Sequence, residues 1–108
     1  MEQLTTIEKE GANYKQFVMQ GALNAYTVDE FQENLYKAVQ ENNVVLDMTK
    51  LIEIDQSGLG LLMAAYNDCE QAGFKLYFMT MSNEAERAIA SSGFKSLFHI
   101  ISSVTEVR

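Results

Sequence analysis

Residues 44–60 read Val44-Val45-Leu46-Asp47-Met48-Thr49-Lys50-Leu51-Ile52-Glu53-Ile54-Asp55-Gln56-Ser57-Gly58-Leu59-Gly60. The stretch opens on a short, nearly continuous apolar run, Val44–Met48, the pattern of a central or doubly covered strand. Leu51-Ile52-Glu53-Ile54 leads into Asp55-Gln56-Ser57-Gly58. Good helix formers follow from Leu59 to Gln71, with Gly73 placed as a C′ residue. Leu59, Leu62, Met63 and Tyr66 form one stripe of that helix, and Ala64 and Ala65 permit close approach. A strand that hands over to a helix in this way opens a βαβ unit.

Upstream, Leu4–Lys9 is rich in β-branched residues, and Gly11-Ala12-Asn13 separates it from Tyr14–Met19. This reads as a hairpin whose second strand ends at Gly21. Thr27-Val28-Asp29-Glu30 has the form of a capping box, a hydroxyl followed three residues later by Glu. Val28, Phe31, Leu35 and Val39 then recur at helical spacing, which predicts a helix of about 13 residues, interrupted at Asn42-Asn43. Downstream, Phe74–Met79 reads as a strand, and Ser82 or Asn83 can cap a helix carried by Ala85, Ala88 and Ile89 and ended near Gly93. Phe94, Leu97, Phe98, Ile100 and Ile101 make a last apolar segment with a short strand, and Val104–Arg108 holds at most one or two helical turns. The order is β-β-α-β-α-β-α-β. It defines an α/β fold with a mixed sheet of four or five strands, right-handed parallel crossovers and packed helices.

The chain has 108 residues, 15 Asp+Glu against 8 Lys+Arg, a net charge of −7 and 47% hydrophobic residues. That length and apolar content suit a single domain over residues 1–108 with one core, and exclude intrinsic disorder. The acidic balance opposes nucleic acid and anionic lipid as main partners. One Cys and no Pro or Trp are present, so an internal disulfide framework and a Cys-rich zinc site are excluded. No leader is expected at Met1-Glu2-Gln3-Leu4, and no segment approaches the roughly 18–20 apolar residues of a membrane span. A cytoplasmic protein is expected.

Chemistry concentrates at Asp55–Gly60. A helix start has four N–H groups without intrahelical partners and a partial positive charge, and Asp or Ser can satisfy one of them. On local pattern alone, Asp55 or Ser57 is an N-cap and Gly58 a tight turn. The loop lacks the third Gly of a dinucleotide fingerprint and the Lys of a P-loop. Elsewhere, His99 beside Phe98 and Ile100 reads as structural. Cys69 has no basic neighbour to activate it, and Asp29, Glu30 and Glu33 solvate a helix face. Glu53 and Asp55 lack any nucleophile–base arrangement around them. No metal and no cofactor is expected.

Asp55-Gln56-Ser57-Gly58-Leu59-Gly60 after an apolar strand resembles the Asp-Ser-Ser-Gly-Leu-Gly loop of STAS domains in bacterial anti-sigma factor antagonists. Gly21-Ala22-Leu23-Asn24 resembles their Gly-Glu-Leu-Asp turn. The likeness continues through Ala72-Gly73-Phe74 and Ser92-Gly93-Phe94 to Ile101, over essentially the whole chain. The resemblance implies a non-enzymatic STAS fold that binds an anti-sigma factor or serine kinase in partner switching. It implies a contact surface at Asn24, Asp55, Gln56, Ser57, Gly58 and Leu59, with Leu59 or Leu61 as an exposed apolar centre. It also implies release when the first loop Ser is phosphorylated. Here that position is Gln56, which has no hydroxyl, and Ala22 and Asn24 stand where Glu and Asp are typical. Ser57 is a possible phosphoacceptor, although its hydroxyl is expected to cap the helix. The preferred expectation is therefore an unswitched binder. Alternatives are an accessory STAS subunit of a membrane transport ATPase and a nucleotide sensor; the lack of Lys or Arg across residues 53–66 counts against the latter.

Overall fold

The computed structural model describes residues 3–108, so the expectation about Met1 and Glu2 lies outside the described residues. Five strands and three helices follow the expected order: β1 (Leu4–Glu10), β2 (Lys15–Leu23), α1 (Val28–Val39), β3 (Val44–Ile54), α2 (Gln56–Gln71), β4 (Leu76–Met81), α3 (Asn83–Ser92) and β5 (His99–Ile101). Short 3₁₀ turns at Lys95–Leu97 and Val104–Glu106 flank β5. The strands lie side by side in sequence order. The first pair is antiparallel and the other three are parallel.

This topology decides where the core sits. Successive crossovers that step the same way across a sheet with the same hand bring their helices to the same face. Phe17, Met19, Leu46, Met48 and Phe78 of the sheet therefore bury against Phe31, Leu35, Leu62, Ala65 and Ile89 of the helices. Phe17 meets Phe31 edge-on at 5.4 Å, and Phe78 meets Phe98 at 4.4 Å. On the opposite face, Val45, Tyr77 and Ile101 are covered by Val107 from the C-terminal turn. Ser103 and Glu106 close a capping box on that turn. Hydrogen bonds from Ser102 and Ser103 hold the Glu106 carboxyl below its ordinary pKa.

Four boundaries depart from the sequence reading, the simplest being β4, which spans Leu76–Met81 rather than Phe74–Met79. Gly21 does not end β2: with φ of +107° it carries the chain through a register shift, and the strand continues to Leu23. A side chain there would collide with the Gln3 carbonyl. The strand read at Val44–Met48 does not stop there, and Leu51–Ile54, read as the lead into the loop, belongs to it. β3 runs for 11 residues because two register shifts against β2 absorb extra residues in it. Next to the first shift, Thr80 is the extra residue of a β4 bulge, with φ of +39°. Its hydroxyl shares the Asp47 carboxylate with that of Thr49. Finally, α2 starts at Gln56 rather than Leu59, so Gln56-Ser57-Gly58 is its first turn.

Candidate functional site

β2 and β3 end together, Leu23 beside Ile54, and the Asp55 N–H donates to the Leu23 carbonyl at 3.2 Å. The β2–α1 and β3–α2 loops are therefore neighbours. Asp55 joins them. Its backbone is extended, and its Oδ1 accepts from the Gly58 N–H at 2.9 Å, which makes it the N-cap of α2. Its Oδ2 accepts from the Ala25 N–H, in the other loop, at 3.1 Å. One carboxylate thus fastens a helix start and a turn, two charge-assisted bonds in one group.

The turn is built to meet it. Asn24 is only 8% exposed. Its Oδ1 accepts from the Tyr26 N–H at 2.9 Å, and its Nδ2 donates to Glu53 Oε1 at 2.8 Å. The structure therefore places Asn24 inside the turn and off the surface. An Asp here would oppose two carboxylates at that distance, so an amide at 24 suits a Glu at 53. The Thr27 hydroxyl accepts from the Asn24 N–H and donates to the Ala22 carbonyl, both at 2.9 Å. It makes no cap bond to α1, and the Thr27–Glu30 capping box does not form. Thr27 already has helical backbone angles, φ −116° and ψ −16°, and its side chain is turned back into the loop.

Gly58 is buried because α2 passes so close to β2. A Cβ there would lie 2.5 Å from the Leu23 carbonyl oxygen and 3.0 Å from Leu23 Cγ. Anchoring the helix on this side turns Gln56 and Ser57 outward, and both are exposed. Ser57 does not cap the helix as the sequence suggested, since Asp55 holds that role. Among the described residues its hydroxyl makes no hydrogen bond. Leu59 is half-buried and packs on the core, while Leu61, 4% exposed, lies within it and cannot be an exposed apolar centre. The large exposed side chain at this end is instead Tyr26, 77% exposed. An aromatic residue within a turn signal was its only trace in the sequence.

The remaining reactive side chains serve packing. Cys69 is fully buried, and burial, with a smaller effect of Glu70, pushes its thiol up to about 12, away from the reactive thiolate. His99 Nε2 lies 3.1 Å from Glu70 Oε1, with its ring between Tyr66 and Tyr77, and fastens β5 to the end of α2. An indentation of about 270 Å³ between β1 and α1 is lined by Thr5, Thr6, Thr27, Glu30 and Asn34, with no imidazole or second carboxylate beside Glu30. No group of three or more His, Cys, Asp or Glu among the described residues could hold a metal ion. No helix among them is long and apolar enough to cross a membrane.

Together these features describe a mixed α/β sheet with helices packed on one face and two loops clamped to each other at the strand ends. The STAS domain family model matches residues 3–107, and the chain belongs to that family. The anti-sigma-B factor antagonist of Staphylococcus epidermidis is 30% identical over 82 residues, 74% of this chain and 76% of that protein. Among solved structures, an anti-sigma factor antagonist from Mycobacterium paratuberculosis superposes with a TM-score of 0.78 at 17% identity, covering 95% of this chain and 89% of that one. The anti-sigma factor antagonist SpoIIAA of Bacillus, in its unphosphorylated form, gives 0.76 at 14% identity, covering 92% of this chain and 90% of its own. The chain is an anti-sigma factor antagonist-like STAS protein, of a family whose members are generally regulatory and non-enzymatic.

Proposed function

We propose that this chain is a single cytoplasmic domain over residues 1–108 that binds an anti-sigma factor, or a serine kinase of the partner-switching type. The contact runs through Gln56, Ser57 and the edge of Leu59, while Asp55, Asn24 and Gly58 hold the loop in shape. It works without a phosphoserine at the usual acceptor position, because Gln56 offers a neutral amide there. The observation that carries this reading is the Asp55 clamp, which presents Gln56 and Ser57 outward on a fixed backbone. Fixing the loop in advance lowers the ordering cost of binding.

Gln56→Glu tests it. A carboxylate buried without a partner in the complex should weaken binding of the purified anti-sigma factor by about 2–3 kcal/mol, while the melting temperature stays at the parent value. Unchanged affinity in titration calorimetry would move the contact elsewhere.

One observation favours a second reading, in which Ser57 is the acceptor: its hydroxyl is exposed and free of the capping bond. A phosphate there would add roughly −1.5 to −2 charges to an already acidic surface. Incubation with the partner kinase and ATP, followed by intact mass and peptide mapping, separates the two. Stoichiometric phosphate on Ser57 would sink the unswitched reading.

A further inference from the structure

Gly60 lies inside α2, where glycine is the poorest helix former after proline. The other five glycines have a reason within the chain, either a positive φ or a neighbour in the way of a Cβ. Gly60 has neither: its φ is ordinary, and beyond the helix's own adjoining backbone no atom lies within 4 Å of a Cβ built on it. It stands one turn beyond Gln56 and one turn before Ala64, so all three share a helix face. Gln56 and Gly60 are exposed on that face, and Ala64 is half-covered. A bare backbone is thus kept at some cost to the helix, directly beside the outward loop residues.

We infer that Gly60 is where the partner packs against the α2 backbone, and that this partner is a protein with a basic rim and an apolar recess that takes Tyr26. The inference rests on the proposed contact through Gln56 and Ser57, and names the geometry and chemistry of what meets it. Tyr26 carries it independently of Gly60. It is the most exposed large hydrophobic among the described residues. Its backbone is nevertheless pinned through the bond to Asn24 Oδ1 and, one residue earlier, the bond to Asp55 Oδ2. An exposed tyrosine on a pinned backbone gives a large amphipathic contact with only two side-chain torsions to order. The rim chemistry follows from charge. The stretches 16–36 and 51–74, which supply both loops and most of α1 and α2, carry seven carboxylates and no Lys or Arg. Asp29 and Glu30, just after Tyr26 in sequence, and Glu53, at the end of the neighbouring strand, are all exposed. Such a surface selects Lys and Arg on its partner and speeds encounter with it.

The two sides of α2 therefore differ in what a methyl group would do. Gly60→Ala should raise the melting temperature by about 4 °C or more, since it fits without contact and favours the helix. The same change should weaken the purified anti-sigma factor at least tenfold in titration calorimetry, and Gly60→Leu at least a hundredfold. Tyr26→Ala should weaken it at least tenfold with the melting temperature unchanged. Raising salt from about 50 to 500 mM should weaken the parent complex, as expected for opposite charges around the contact. If Gln56→Glu weakens binding but Gly60→Ala stays within twofold of the parent, the packing at Gly60 is overturned and the loop contact stands. If neither changes affinity, both fall. A lower melting temperature for Gly60→Ala would give the glycine a structural purpose and overturn the inference. Salt-independent affinity would overturn the basic rim.

Discussion

Strands β2 and β3 end side by side, yet the helices that follow them start by different means. At the β3–α2 junction, Asp55 is extended and its carboxylate reaches the third amide of the helix. At the β2–α1 junction, Thr27 already has helical angles, and its hydroxyl is spent on Ala22 and Asn24 behind it. The first junction uses its polar residue to begin a helix and hold a neighbour. The second uses its polar residues to close a turn. The difference shows which loop supports which: the turn closes through its own hydrogen bonds, and Glu53 and Asp55 from the other junction lock it in place.

The largest way to break that arrangement is Asp55→Ala. It removes the cap of α2 and the bond to the Ala25 N–H together, and should cost about 3 kcal/mol. Urea denaturation measures the total. Amide hydrogen exchange assigns it: protection should fall at Gly58 and at Ala25 in the same variant. Loss at Gly58 alone would mean that the two loops are fastened separately.

Element types and order were legible because periodicity carries them: alternation and short apolar runs for strands, three- and four-residue spacing for helices. Phase was harder. Reading α2 from Leu59 left the orientation of its first turns open, and Leu61 became a surface candidate. Only the start at Gln56, fixed by Asp55 and by Gly58 against Leu23, turns Leu61 inward. The length of β3 was hidden for a related reason, since Thr49-Lys50 looks like a break unless the register shifts that absorb it are known. The loop motif itself stood out in the sequence, but its second half did not. Nothing local ties Asp55 to Ala25, or Asn24 to Glu53 across 29 residues. Those bonds exist because β2 and β3 are neighbours, a property of the sheet and not of either segment.

A smaller test addresses the turn. Thr27→Val keeps the side-chain shape and removes the hydroxyl, so the Ala22 carbonyl and the Asn24 N–H lose a partner in a partly buried setting. A loss of about 1.5 kcal/mol is expected. Exchange should quicken at the Asn24 amide and be unchanged at Asp29 and Glu30 in the first turn of α1. Faster exchange at Glu30 would instead reveal a cap at Thr27.

The smallest effect is the sharpest discriminator. A capping box would have the Glu30 carboxylate reach the Thr27 N–H, but that N–H already donates to the Asn24 carbonyl at 3.0 Å. Glu30 is exposed and has no such bond to lose. Glu30→Gln removes only its charge near the start of α1, where an acid favours the helix dipole by a few tenths of a kcal/mol. Stability should therefore fall by less than about 0.5 kcal/mol, and less still in high salt. A reciprocal cap would behave differently, because its bond is local and weakly screened. A loss above about 1 kcal/mol that persists in high salt would restore the capping box and make the two junctions alike.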